Sequence, residues 1–231
     1  MKSKLDASFS PGETAAVSGV LAIPFLIMAF ANLFKWQWLD KMDHVIGQMA
    51  VDSRTGGRTA FFRVFTELGG VKFSVVFVIV IGLLLYFVSK KKELAVWYVF
   101  TAAVGAGVLN KTIKYIFRKP RPSFEHLVVQ GGYSFPSGHA MGSTIMYGGL
   151  LVVLFYLVKS KGIRTLFALL FVGLILLIGI SRIYLGVHYP SDIIGGYSLG
   201  SAWLYTSVDV FRHLKRSRGL SDYRFKQNTW R

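Results

Sequence analysis

Residues 14–34 read TAAVSGVLAIPFLIMAFANLF, 21 residues without a charge between Glu13 and Lys35. At about 1.5 Å per residue, a helix of that length crosses a bilayer core of about 30 Å. Pro24 inside the run predicts a kink whose freed carbonyl is re-satisfied by a neighbouring helix. The pattern recurs: charge-free runs follow at 73–89, 94–110, 140–158, 165–181 and 193–208, the third running on past its lysines to Phe117. Six such runs in 231 residues leave a soluble protein no polar surface to show. The expected fold is therefore all-α, an integral membrane six-transmembrane-helix bundle.

Composition agrees, with 53% hydrophobic and only 16% charged residues and a mean hydropathy of +0.48. The chain has no cysteine, which excludes disulfides, thiolate metal sites and thiol nucleophiles together. A formal charge of +16 fits nucleic acid, anionic lipid or charges flanking membrane spans. Because the basic residues bracket the apolar runs, the last reading prevails. The first span is expected to be retained, since Lys2 and Lys4 are followed by Asp6 and Glu13 and the apolar run is too long for a cleaved leader. Residues 1–218 read as one membrane domain, and 219–231, without helical period, as a flexible tail.

Basic residues in short loops set orientation. Raw totals on the two sides barely differ, but Lys90-Lys91-Lys92 and the loop at Lys159 abut spans directly. This predicts both termini in the cytoplasm. Between the first two spans, Lys35–Gly70 spaces Trp36, Trp38, Leu39, Met42, Val45, Ile46 and Met49 as a helix would. An interfacial amphipathic helix is expected there, ended by a loop at Arg54–Arg58, with a lid over a site as the alternative.

Costly polar groups gather at three span ends on one membrane face: Lys114 to Arg121, His139, and Arg182 to Asp192. Three cations and two histidines with one carboxylate make a mouth for an anion, and the net positive potential suits a phosphate. Arg121 is held between Pro120 and Pro122, whose fixed φ angles restrict its direction. Arg118 and Lys119 lack that restraint and read as headgroup contacts. In Phe135-Pro136-Ser137-Gly138-His139, Ser137 can cap the next helix, whose free N–H groups can receive a phosphate that Gly138 lets approach. His139 in the first turn can protonate a leaving oxygen. Pro190 starts the last helix and puts Asp192 within reach of His188, a carboxylate that can fix an imidazole's tautomer for nucleophilic attack. Of the acidic residues, only Asp192 and Glu125 are expected near this mouth.

Lys114, six residues, Arg121-Pro122; Pro136-Ser137-Gly138-His139; and Ser181-Arg182, five residues, His188, three residues, Asp192 together resemble the three-part signature of the type 2 phosphatidic acid phosphatase superfamily. The resemblance implies a membrane lipid phosphatase acting through a phosphohistidine. It implies that His188 attacks phosphorus, Asp192 orients it and His139 protonates the leaving group. Lys114, Arg121, Ser137, Gly138 and Arg182 would bind the phosphoryl oxygens, with no metal or other cofactor. The expected partners are the bilayer and a lipid phosphate at an extracytoplasmic site, with no nucleic acid. Phosphatidylglycerophosphate, undecaprenyl diphosphate and phosphatidic acid all remain open. A non-catalytic anionic lipid-binding or transport protein is the alternative.

Overall fold

The computed structural model describes residues 10–217; the expected tail at 219–231 lies outside them. Among the described residues every regular element is helical. Helix α1 (Pro11–Leu33) starts in a capping box, in which Ser10 Oγ accepts the Glu13 N–H at 3.2 Å and the Glu13 carboxylate accepts the Ser10 N–H at 2.6 Å. Next come α2 (Gln37–Asp52), α3 (Gly56–Glu67) and α4 (Val71–Leu83), which continues through a π-helical turn at Leu84–Val88. Helix α5 (Lys92–Ala102) passes through a second π-helical stretch, Ala103–Leu109, into α6 (Asn110–Phe117). After a long non-helical connection come α7 (Gly138–Leu157), α8 (Lys161–Tyr184) and α9 (Pro190–Ser217).

Among the described residues five helices are long and apolar enough to cross a membrane: Gly12–Leu33, Val71–Val88, Lys92–Phe117, Gly138–Leu157 and Lys161–Tyr184. They coincide with the first five charge-free runs. The sixth run sits in α9, whose 28 residues suffice in length but whose composition is more polar, because α9 lies at the centre of the bundle. A Cβ on Gly196 would come within 2.8 Å of the Ser137 carbonyl, and one on Gly200 within 3.1 Å of the Met141 carbonyl, so α9 and α7 meet backbone to backbone. On its other side α9 runs antiparallel to α1 through Thr14–Asp209 (2.7 Å) and Ser18–Thr206 (2.8 Å).

Beside Pro24, α1 is bonded from α9. Ser198 donates to the Leu21 carbonyl at 2.5 Å and accepts the Phe25 N–H at 3.0 Å. Inside the bundle Tyr98, Met141, Ile145, Met146 and Ile178 form the core. Large apolar residues on α4 and α8, such as Val76, Leu169 and Ile180, face outward instead.

The segment between the first two spans holds two helices, not one. The turn lies at Ser53–Thr55, earlier than expected, because Thr55 Oγ1 accepts the Arg58 N–H at 3.3 Å and opens α3 at Gly56. On α2 the buried positions are Leu39, Asp43 and Gly47, one helical face, while Trp36, Trp38, Val45, Ile46 and Met49 point outward.

Candidate active site

Each span ends where the chain must turn, and those turns on one face build the site. Helix α6 stops at Arg118, which adopts φ +46° in the left-handed region and donates its N–H to the Lys114 carbonyl. The connection to α7 is tied to its neighbours: Ser134 N–H bonds the Lys119 carbonyl at 2.8 Å, and Leu127 N–H bonds the Leu185 carbonyl at 3.0 Å. After α8, Gly186 at φ +79° reverses the chain. Helix α9 then begins at Pro190, with the Tyr189 N–H donated to Asp192 Oδ2 at 2.9 Å.

His188 stands between a donor and an acceptor. Its Nδ1 is 3.2 Å from Asp192 Oδ2 and 3.2 Å from Ser134 Oγ. Its Nε2 is 3.2 Å from Arg121 Nη1, and a guanidinium can only donate. These partners assign the proton to Nδ1 and leave a lone pair on Nε2. Asp192 Oδ2 also accepts the Ser134 hydroxyl, so three donors converge on it. Burial pushes the His188 pKa down to about 3, which keeps the ring neutral, although Asp192 opposes the shift. Burial likewise lowers Arg121, which remains a cation.

The cations converge on the same place. Lys114 Nζ donates to the Tyr133 and Ser134 carbonyls at 2.7 and 2.9 Å. Arg121 is braced by the carbonyls of Gly131, Gly132, Tyr133 and Val187, at 2.7 to 3.2 Å. Arg182 is buried and donates to Thr66 Oγ1 and Gln130 Oε1, both at 2.6 Å, leaving its Nε without a partner. A cavity of about 450 Å³ is lined by Lys114, Arg121, Gln130, Gly138, His139 and His188 and runs on between α4 and α5. Ser137 does not line it. Its hydroxyl faces its own helix, where it accepts the Ala140 N–H at 3.4 Å.

Two expectations are corrected. Lys119 is no headgroup contact: it is buried, with Nζ 2.9 Å from Asp43 Oδ2 and 3.2 Å from Asp192 Oδ1. Burial alone would lower its pKa, but Asp192 and Asp43 outweigh that and hold it above the ordinary lysine range. Asp43 is a buried carboxylate near the site that was not expected there, whereas Glu125 is exposed and faces Arg54 at 3.6 Å. Arg118 is exposed. Sequence reasoning also passed over Ser134, Thr66 and Gln130, which lie outside the three motifs.

The sequence model of the PAP2 superfamily matches residues 94–216. Phosphatidylglycerophosphatase B of Bacillus subtilis is 32% identical over 201 residues, covering 84% of this chain and 94% of its own. An undecaprenyl-diphosphatase of Sulfolobus acidocaldarius is 32% identical over 143 residues, 58% of this chain and 63% of that one. The crystal structure of a transmembrane PAP2 type phosphatidylglycerolphosphate phosphatase from Bacillus subtilis superimposes with a TM-score of 0.75 at 27% identity, covering 87% of this chain and 96% of that chain. With more than half of its length matched by the family model and a relative covered nearly throughout, the chain belongs to the PAP2 superfamily.

Proposed function

We propose that this protein is a metal-independent membrane lipid phosphatase that removes a terminal phosphate through a phosphohistidine on His188. The observation that carries the reading is one cavity with two characters. Its head holds Lys114, Arg121, His139 and His188, and its body passes between apolar residues of α4 and of the π-helical stretch after α5, including Val75, Val78, Ile79, Ala103 and Ala106. A charged head on an apolar chain is the ligand such a space suits.

The chemistry follows from the placement. Nε2 of His188 attacks phosphorus, and the bond from phosphorus to the leaving oxygen breaks. His139 gives that oxygen its proton, then takes one from the water that hydrolyses the phosphohistidine. Arg121 passes its N–H from Nε2 to a phosphoryl oxygen. Lys114, Arg182 and the free amides at the start of α7, Gly138 among them, stabilise the remaining negative charge, and Ser137 fixes that helix start. These cations supply what a metal ion would otherwise provide.

In this reading α9 is the sixth span, and α2 lies in the headgroup region with its outward Trp38, Val45, Ile46 and Met49 against lipid. Both termini are cytoplasmic, which puts the site on the extracytoplasmic face. Phosphatidylglycerophosphate and undecaprenyl diphosphate are the two leading substrates, following the names of the relatives.

The test is phosphate release by the purified protein in detergent, with a panel of lipid phosphates and diphosphates and with soluble phosphate monoesters. Release from lipids that persists in EDTA and stops with vanadate is expected. No release from any lipid phosphate would overturn the activity, and abolition by EDTA would overturn its metal independence.

A further inference from the structure

Behind Asp192, on the side away from His188, lies a buried charged chain that the reaction above does not use. Asp43 of α2, Lys119 of the connection before α7, and Ser191 and Asp192 of α9 are all buried, although they come from three separate parts of the sequence. Lys119 Nζ is bonded to Asp43 Oδ2 at 2.9 Å and to Ser191 Oγ at 2.8 Å, and lies 3.2 Å from Asp192 Oδ1. Asp192 Oδ1 has no hydrogen bond of its own, so Lys119 is the cation that faces it. Asp43 also accepts the Ser191 N–H at 2.9 Å and the Ser191 hydroxyl at 2.6 Å. It thereby caps the first turn of α9 from another helix, at a start where Tyr189 is not one of the short side chains that cap a helix. The Lys119 ammonium rests 4.5 Å from the Tyr189 ring centroid, which closes the group on its remaining side.

Burying three charges is costly unless each is paired. An interfacial helix gains nothing from such a group as an anchor, since outward lysines and tryptophans would serve. What the group does fix is the position of one carboxylate, because both ends of it terminate on the turn of α9 that bears Asp192. We propose that Asp43 and Lys119 are positioning residues for phosphoryl transfer: α2 reaches inward to hold the start of α9 and, through Lys119, the carboxylate that orients His188. This rests on the reading of His188 as nucleophile.

The arrangement makes an electrostatic demand of opposite sign for its two members. The groups facing the His188–Asp192 pair are Lys114 of α6, Lys119, Arg121 and Ser134 of the connection, His139 of α7, Arg182 of α8 and, one step out, Asp43 of α2. With Lys119 neutralised, Asp192 acts on the imidazole uncompensated, and the protonated ring is favoured. With Asp43 neutralised, Lys119 belongs wholly to Asp192 and the protonated ring is disfavoured.

The experiment measures kcat, KM and the acid limb of kcat/KM for Lys119→Gln, Asp43→Asn and Lys119→Arg, beside His188→Ala. Thermal unfolding and binding of a non-hydrolysable lipid phosphonate are followed for each. Asn at 43 keeps an acceptor for the Ser191 amide, so α9 can still start. We expect Lys119→Gln and Asp43→Asn to lower kcat about tenfold or more, with KM changed less than about threefold. The acid limb should move to higher pH in Lys119→Gln and to lower pH in Asp43→Asn, by about one unit each. Lys119→Arg should recover most of kcat and leave the limb in place. Folded variants with unchanged kcat and limb, or limbs moving in the same direction, would overturn the proposal. If Lys119→Gln does not fold, the limb of Asp43→Asn decides alone. Phosphate release surviving in His188→Ala would instead overturn the nucleophile itself.

Discussion

Arg121 Nη1 stands 3.2 Å from His188 Nε2, so the ring nitrogen facing the cationic mouth is the one with a lone pair. That relationship predicts the site of phosphorylation. A rapidly quenched reaction with labelled lipid phosphate should place phosphate on Nε2 of His188, read by mass spectrometry and by ³¹P NMR against the two phosphohistidine isomers. His188→Ala should lose phosphate release by a factor of at least about 10³ while still binding lipid. Phosphate found on Nδ1, or on another residue, contradicts the geometry.

The neutral state of His188 carries a second expectation. Attack requires the unprotonated ring, and burial lowers its pKa to about 3. The acid limb that His188 imposes on kcat/KM should therefore lie well below the ordinary histidine value of about 6.5. Profiles for two substrates whose phosphates titrate differently separate the enzyme's limb from the substrate's. An enzyme limb shared by both substrates near 6.5 would mean that His188 is not held as buried as the structure has it.

Thr66 is the least conspicuous member of the site, a buried hydroxyl on α3 that accepts from Arg182 at 2.6 Å. In Thr66→Val a buried guanidinium N–H loses its partner and Arg182 is free to swing. A fall in kcat/KM of about tenfold is expected, expressed mainly in KM, with Thr66→Ser close to the parent. Steady-state kinetics on the three proteins check it.

Ser198 makes a prediction about stability alone. Its hydroxyl bonds Leu21 O and Phe25 N of α1, on either side of Pro24. Ser198→Ala removes both bonds and should cost about 1–2 kcal/mol, seen as a lower unfolding temperature in detergent with kcat unchanged at low temperature.

What the sequence disclosed and what it concealed divide along a physical line. His188 and Asp192 are four residues apart and Lys114 and Arg121 seven, so each motif is a local piece of chain whose spacing survives in the fold. The charge-free runs were equally legible, because a bilayer demands them one at a time. Asp43, Thr66, Ser134 and Gln130 reach the site through tertiary packing, and no local pattern marks them. Lys119 was misjudged because a lysine beyond a span end ordinarily goes to water, and its two carboxylate partners come from 76 and 73 positions away. Leu39, Asp43 and Gly47 form the buried stripe of α2 while Val45, Ile46 and Met49 are exposed, a division that only the fold reveals. A carboxylate buried on the inward side of a helix implies a cation waiting for it.

The π-helical stretch Ala103–Leu109 between α5 and α6 has a consequence for how this chain can vary. A wide turn adds residues without a matching advance in rotation, so it acts as a phase shifter between the half of the helix that packs on Trp203 and the half that carries Asn110 and Lys114. Deleting one residue there would let the stretch relax into an ordinary α-helix with the phase beyond it nearly kept, whereas relaxing with every residue retained would turn everything beyond it by about 100°. Lys114 would then sweep from the catalytic mouth toward lipid, with every motif residue still present in the sequence. The winding of this stretch is thus under as tight a constraint as residue identity in the motifs.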